Sequence, residues 1–161
     1  MEELDFQGLL DQFSAEGFER GEQVILGHFG TVQTLLSLIF GEPVKVHLVG
    51  QKVQDNEILR SVHLVTCSEI VCYATTHIPW EKNRPDVRSD ISAGALGLGQ
   101  IVVTHQIPNK RNLVDVGRNG NAFWRTYTIE GPQLFLQIRE HFPREPFEKV
   151  GWLQAREVPD G

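Results

Sequence analysis

Two periodicities divide the chain. Over residues 31–40 the apolar positions Val32, Leu35, Leu36 and Ile39 return every three or four residues, the spacing of one helical face, and Gly41 stands where a C-cap belongs. Thr31–Phe40 is therefore the firmest predicted helix. Leu4, Leu9, Leu10 and Phe13 fit a shorter amphipathic helix, and Gly17, Gly21 and Gly27 punctuate the segment between the two. Elsewhere the pattern predicts extended segments over Val44–Gln51, Leu59–Thr66, Ile70–His77, Gln100–His105, Leu113–Gly117, Trp124–Ile129 and Leu134–Phe142. The short links Cys67-Ser68-Glu69 and Glu130-Gly131-Pro132 favour hairpins and hence antiparallel pairing. Pro79–Ala95 mixes prolines, charges and small residues, which predicts a loop with one helix near Val87–Ala93, of the kind that covers a binding site. After Pro143 the tail holds Pro146, Gly151 and Pro159 and reads as peripheral. No internal repeat is visible. The expected fold is α+β: one antiparallel β-sheet with helices packed on it, in a single domain over residues 1–161.

Three charges fall in the apolar phase of predicted strands. Side chains alternate faces along a strand. Counting in twos groups Arg60 with Val62 and Leu64, Glu140 with Leu134, Leu136 and Ile138, and Arg125 with Phe123, Tyr127 and Ile129. An unpaired ion is expensive to remove from water, so each must find a partner, change protonation state or line a cavity for a charged ligand. Arg60 offers a planar fork suited to a carboxylate. A carboxyl at Glu140 is either a proton donor among apolar walls or the counter-ion of Arg60. Two internal arginines against one glutamate leave positive charge that a dianion would match. Arg111 and Arg118, with Lys110 alongside, bracket another strand and could form a basic rim.

Other motifs are weaker. The run Gly94-Ala95-Leu96-Gly97-Leu98-Gly99 lacks the Lys-Ser/Thr of a phosphate loop, so close backbone approach to a ligand is the better reading. Ser61 and His63 share a face, but no acid or nucleophile elbow accompanies them. Cys67 and Cys72 are five apart, on opposite faces if both stay extended, which makes a disulfide a poor fit. Without a CxxC or a Cys/His cluster neither a zinc site nor a redox motif is expected.

Composition narrows the partners. The net charge of −6 gives no basic footprint for nucleic acid. No apolar run approaches the roughly 18 residues of a membrane span. Met1-Glu2-Glu3-Leu4-Asp5 is acidic and lacks the regions of a signal peptide, so a cytoplasmic location is expected. No exposed apolar stripe is evident, and a monomer is favoured.

Several segments carry a family resemblance when taken in order. They are Gly30-Thr31-Val32, Gly41-Glu42-Pro43-Val44 leading to Gln51, Arg60 opening an Arg-x-Val-x-Leu strand, and Leu96-Gly97 after the loop. Arg111 followed by Val114-Asp115-Val116-Gly117-Arg118, and Glu140-His141-Phe142-Pro143, complete the set. Over most of its length the chain resembles the chorismate pyruvate-lyase family, including its cyanobacterial and plastid branch. The family often has a proline where this chain has Ala95, and Glu140 stands one residue closer to Pro143 than in the enterobacterial type. The resemblance implies an internal, flap-covered site and cofactor-independent conversion of chorismate into 4-hydroxybenzoate and pyruvate, a step toward quinones. It implies that Arg60 holds a carboxylate, that the backbone at Leu96 and Gly97 holds another polar group, and that Glu140 acts on the departing enolpyruvyl oxygen. Leu35 and Leu36 would belong to the flap, and the strand phase of Arg125 and the rim position of Arg111 make those two further expected binding residues. The same architecture also resembles ligand-sensing domains of bacterial regulators, so the alternative is a non-catalytic binding or sensor module for a small aromatic carboxylate.

Overall fold

The computed structural model describes residues 6–94 and 97–155. Three helices come first, α1 (Phe6–Ala15), α2 (Arg20–Leu26) and α3 (Val32–Phe40), followed by strands β1 (Lys45–Gln54), β2 (Glu57–Val65) and β3 (Ile70–Pro79). Two more helices, α4 (Pro85–Ala93) and α5 (Leu98–Thr104), precede β4 (Lys110–Arg118), β5 (Ala122–Gly131) and β6 (Leu134–Pro143), and α6 (Arg144–Lys149) closes the series. The strands form one sheet in the order β1-β2-β3-β6-β5-β4, antiparallel throughout. The fold is thus α+β with a single antiparallel sheet. Asp55 and Asn56 both have positive φ (50° and 60°), the signature of a tight type I′ hairpin, so β1 and β2 run on past the predicted strand ends.

Two expectations are corrected. Gln100–His105 is not a strand, because Leu98–Thr104 is helix α5. A short β-branched run does not reveal its period. Here Ile101 and Val102 turn into the core while Val103 is 65 % exposed, and tertiary packing overrides the strand preference of the run. Nor is the described part of the tail, residues 144–155, peripheral, while Pro159 lies outside the described residues. Pro143 serves as the N-cap of α6 and Pro146 sits in its first turn, where a missing N–H costs little, and Phe147 and Leu153 are buried. Prolines that read as breakers begin a helix.

The chain also contains a repeat that its composition hides. The order helix, helix, three strands occurs twice, and Lys45 to Lys110, Leu48 to Leu113 and Arg60 to Arg125 are each 65 residues apart in matching register. Both edge strands carry a register shift at the equivalent place, between Leu48 and Gly50 and between Leu113 and Asp115. Such bulges twist an edge away from further pairing. The central pairing obeys the same symmetry. Tyr73 faces His141 and His77 faces Gln137, with Thr75 opposite Arg139 at the pseudo-twofold centre.

The two halves are interlocked on one face of the sheet. Ile25 and Leu26 of α2 cluster with Phe123 and Phe142 from the second half, whereas Val87 and Ile91 of α4 cluster with Ile58 and Ile78 from the first. Each half thus covers strands of the other, so neither core is complete alone. Arg60 and Glu140 lie at the seam between the two clusters.

Candidate functional site

A hollow of about 80 Å³ opens at this seam. One water needs roughly 10–15 Å³ of such space, so there is room for several waters or part of a small ring compound. Its floor is the inner sheet face, with Val62, Ala74, Thr76, Tyr127 and Ile138, and its cover comes from residues 30–33 beside α3 and 97–100 at the start of α5. Equivalent segments of the two halves thus cover it from both sides. Among the described lining residues the charged ones are Arg60, Arg111 and Glu140.

Strand phase places these groups as the alternation requires. Arg60, Arg125 and Glu140 are all buried, at 1 %, 1 % and 3 % exposure. Register decides who meets whom. Glu140 lies opposite Arg125, whereas the β3 residue opposite Arg60 is Thr76, so of the two readings of Glu140 the counter-ion one holds with a different partner, in an Arg125–Glu140 ion pair. Arg125 Nε donates to Glu140 Oε1 at 2.6 Å, and its Nη1 donates to the carbonyls of Leu26 (3.1 Å) and His28 (2.5 Å). Burial opposes the charge on Arg125, but the Glu140 carboxylate outweighs it and raises its pKa, and the Tyr127 ring lies beneath the guanidinium, 4.5 Å from its carbon. Burial first, then the Glu140 carboxylate, pushes the Tyr127 phenol far above its ordinary value. Tyr127 therefore keeps its O–H, which donates to Glu140 Oε2 at 3.4 Å.

At the rim, Arg111 Nη1 donates to Gly30 O at 3.0 Å, tying edge strand β4 to the segment before α3. Burial, followed by Arg125, depresses the His28 imidazole in that segment. Burial also lowers the pKa of Arg60, though a guanidinium has ample margin to stay charged. Together the region holds Arg60, Arg111 and Arg125 against one carboxylate, Glu140, among the described residues.

The remaining site expectations fare unevenly. Gly97 lines the hollow, and Leu96 lies outside the described residues. Leu35 and Leu36 do not line it: Leu36 is fully buried in the first core cluster and Leu35 packs against that cluster. The helix reaches the hollow through Thr31, Val32 and Gln33 instead, since residues a turn further along point at the sheet. Arg118 is not a rim residue, because its Nε donates to Glu22 Oε1 at 3.1 Å. Sequence reasoning misses Tyr127, Thr76 and Gln33 as polar wall residues. Tyr127 and Thr76 share the inward phase of Arg125 and of Ala74, a signal available in the sequence.

A second buried ionic cluster lies away from the hollow. Glu22, fully buried on α2, accepts from Arg118 and pairs with Arg144 Nη1 at 3.0 Å. Its Oε1 also accepts the Glu19 backbone N–H (2.8 Å) in a capping box. Arg144 further binds Glu19 (2.8 Å) and Glu148 (3.4 Å).

No protein-family model matches the sequence, and no curated protein does. Among the described residues no helix is long and apolar enough to cross a membrane, and no three His, Cys, Asp or Glu side chains are grouped to hold a metal. Both cysteines are free thiols, Cys67 exposed and Cys72 buried.

Proposed function

We propose that the protein is a chorismate pyruvate-lyase that eliminates enolpyruvate from chorismate to give 4-hydroxybenzoate and pyruvate. One observation carries this reading: a hollow with apolar walls whose charged lining, among the described residues, is two guanidiniums, Arg60 and Arg111, and one carboxylate, Glu140, itself paired with Arg125. Such a place suits a small dianion, and chorismate carries two carboxylates on a compact ring. Arg60 and Arg111 would hold those carboxylates as charge-assisted pairs. In the reaction the ring carbon–oxygen bond to the enolpyruvyl group breaks and one ring C–H loses its proton. That proton ends on the departing group, which ketonises to pyruvate, so the ring becomes aromatic without oxidant or reductant. Glu140 is the lining carboxylate that would carry it, with Arg125 and Tyr127 fixing its two oxygens.

The ion pair between Arg125 and Glu140 favours a second reading as well. A carboxylate held at 2.6 Å by a buried guanidinium is also what a purely structural counter-ion looks like, and the hollow would then serve a non-catalytic binding or sensor module. Incubation with chorismate separates the two. Pyruvate, followed by coupled reduction to lactate, and 4-hydroxybenzoate, followed by chromatography, should appear in equal amounts. Saturable binding of 4-hydroxybenzoate with no pyruvate would establish the module, and absence of both would overturn both.

A further inference from the structure

The internal repeat sets α3 and α5 in equivalent positions on either side of the hollow, yet they are anchored by different chemistry. Helix α3 is fixed by groups that do not titrate. Leu36 is fully buried, the Phe40 ring lies 5.0 Å from Phe147, and Val44 is bonded to both Gln33 (2.7 Å) and Ser37 (3.0 Å). Helix α5 has Ile101 and Val102 in the core, but its C-terminal end is held by charge. His105, its C-cap, places Nε2 2.5 Å from Asp90 Oδ2 and Nδ1 3.3 Å from Asp86 Oδ2, so both ring nitrogens face carboxylates on α4.

A neutral imidazole has one N–H and one lone pair, so it can satisfy only one of two carboxylates, and its bare nitrogen would face the other. The imidazolium satisfies both. The negative end of the helix dipole favours the cation too. The charged groups facing the ring among the described residues are Asp86 and Asp90 from α4 and Arg84. Arg84 shares Asp86, through Nε at 2.6 Å and through Nη2, and α5 itself carries no charged residue.

We propose that His105 with Asp86 and Asp90 is a proton-dependent latch that sets how firmly α5, one wall of the hollow, is held to α4. With the ring protonated, both carboxylates are engaged and Leu98–Gln100 stay seated over the hollow. When the ring gives up its proton, one contact turns from attraction to repulsion and α5 loosens at its C-terminal end. The consequence for ligand exchange rests on the hollow being the binding site, whereas the latch itself does not.

The test uses the whole chain with nitrogen-15 histidine, compared at about pH 5 and about pH 9, far enough apart to sample a protonated and a neutral imidazole. Nitrogen spectra should show both His105 ring nitrogens protonated at the lower pH and one at the higher. Amide hydrogen exchange across residues 98–104, corrected for intrinsic rates, should accelerate severalfold with that change, while residues 32–40 stay constant. Asp90→Asn, which keeps side-chain size, and His105→Gln should show the faster exchange at both pH values. A single neutral tautomer at the lower pH, or exchange that ignores both pH and the variants, overturns the latch. The dissociation rate of 4-hydroxybenzoate should rise in step with exchange. If that ligand does not bind, the reading of the hollow fails while the exchange result still decides the latch.

Discussion

The molecule holds two arginine clusters, each with at least one buried guanidinium and a half-buried one beside it, and they differ in what surrounds them. Around Arg144 and Arg118 stand Glu19, Glu22 and Glu148, and Arg144 is bonded to all three acids. Around the hollow, Arg60, Arg111 and Arg125 stand with one acid among the described residues, Glu140, beside open space. The first cluster fastens α2 and α6 to the end of the sheet. Buried charge alone therefore does not mark a site. An excess of one sign beside an open volume is what the proposed reading rests on, because a charged ligand has room to enter there.

The sharpest break in the comparison comes from removing an acid in each cluster. Glu22→Gln leaves Arg144 and Arg118 facing a neutral amide and should cost about 3–5 kcal/mol in urea unfolding, with 4-hydroxybenzoate affinity in the surviving folded fraction unchanged. Loss of affinity in that variant would mean the clusters are coupled. Arg60→Met, in contrast, should abolish binding of 4-hydroxybenzoate by calorimetry while the thermal transition stays cooperative.

Thr76→Glu sharpens the same contrast from inside. It gives Arg60 the cross-strand carboxylate that Arg125 already has in Glu140. The expected product is a folded chain whose hollow no longer takes a carboxylate ligand. Retained affinity at the wild-type level would show that the guest's charge does not sit against Arg60.

Smaller effects should come from the edges of each cluster. Tyr127→Phe removes the O–H from Glu140 and should cost about 0.5–1.5 kcal/mol of stability, read from the urea midpoint. In the other cluster, burial pulls the Glu19 pKa upward, but the hydrogen bonds from Arg144 and the Gln154 backbone and the charge of Arg144 leave it below its usual 4.5. A depressed folded pKa stabilises the protein above the unfolded value, and that contribution fades as pH falls through the folded one. Stability should therefore decline below about pH 4.5, and Glu19→Gln should flatten that decline. The effect is modest, since the group is partly exposed.

Much of this contrast was legible in the sequence. Counting in twos along β6 takes Leu134, Leu136, Ile138, Glu140 and Phe142 inward, and continuing the count reaches Arg144, which is also buried. Glu22 stands three and four residues before Ile25 and Leu26 on α2, in the buried phase of that helix. These signals are local, and they identify which charges leave water. They do not identify partners. Whether Glu140 meets Arg60 or Arg125 depends on β6 lying between β3 and β5 and on the register of each pair.

What the sequence determined by itself was the face each strand residue takes, since alternation follows from the geometry of a single extended chain. The helix at Leu98–Thr104, the doubled architecture and the hollow on its seam were decided by tertiary structure. Seven residues rich in β-branched side chains become helical only because the core receives Ile101 and Val102. Likewise a repeat kept at a few positions, such as Arg60 and Arg125, becomes visible only when long-range pairing sets the two halves in the same register.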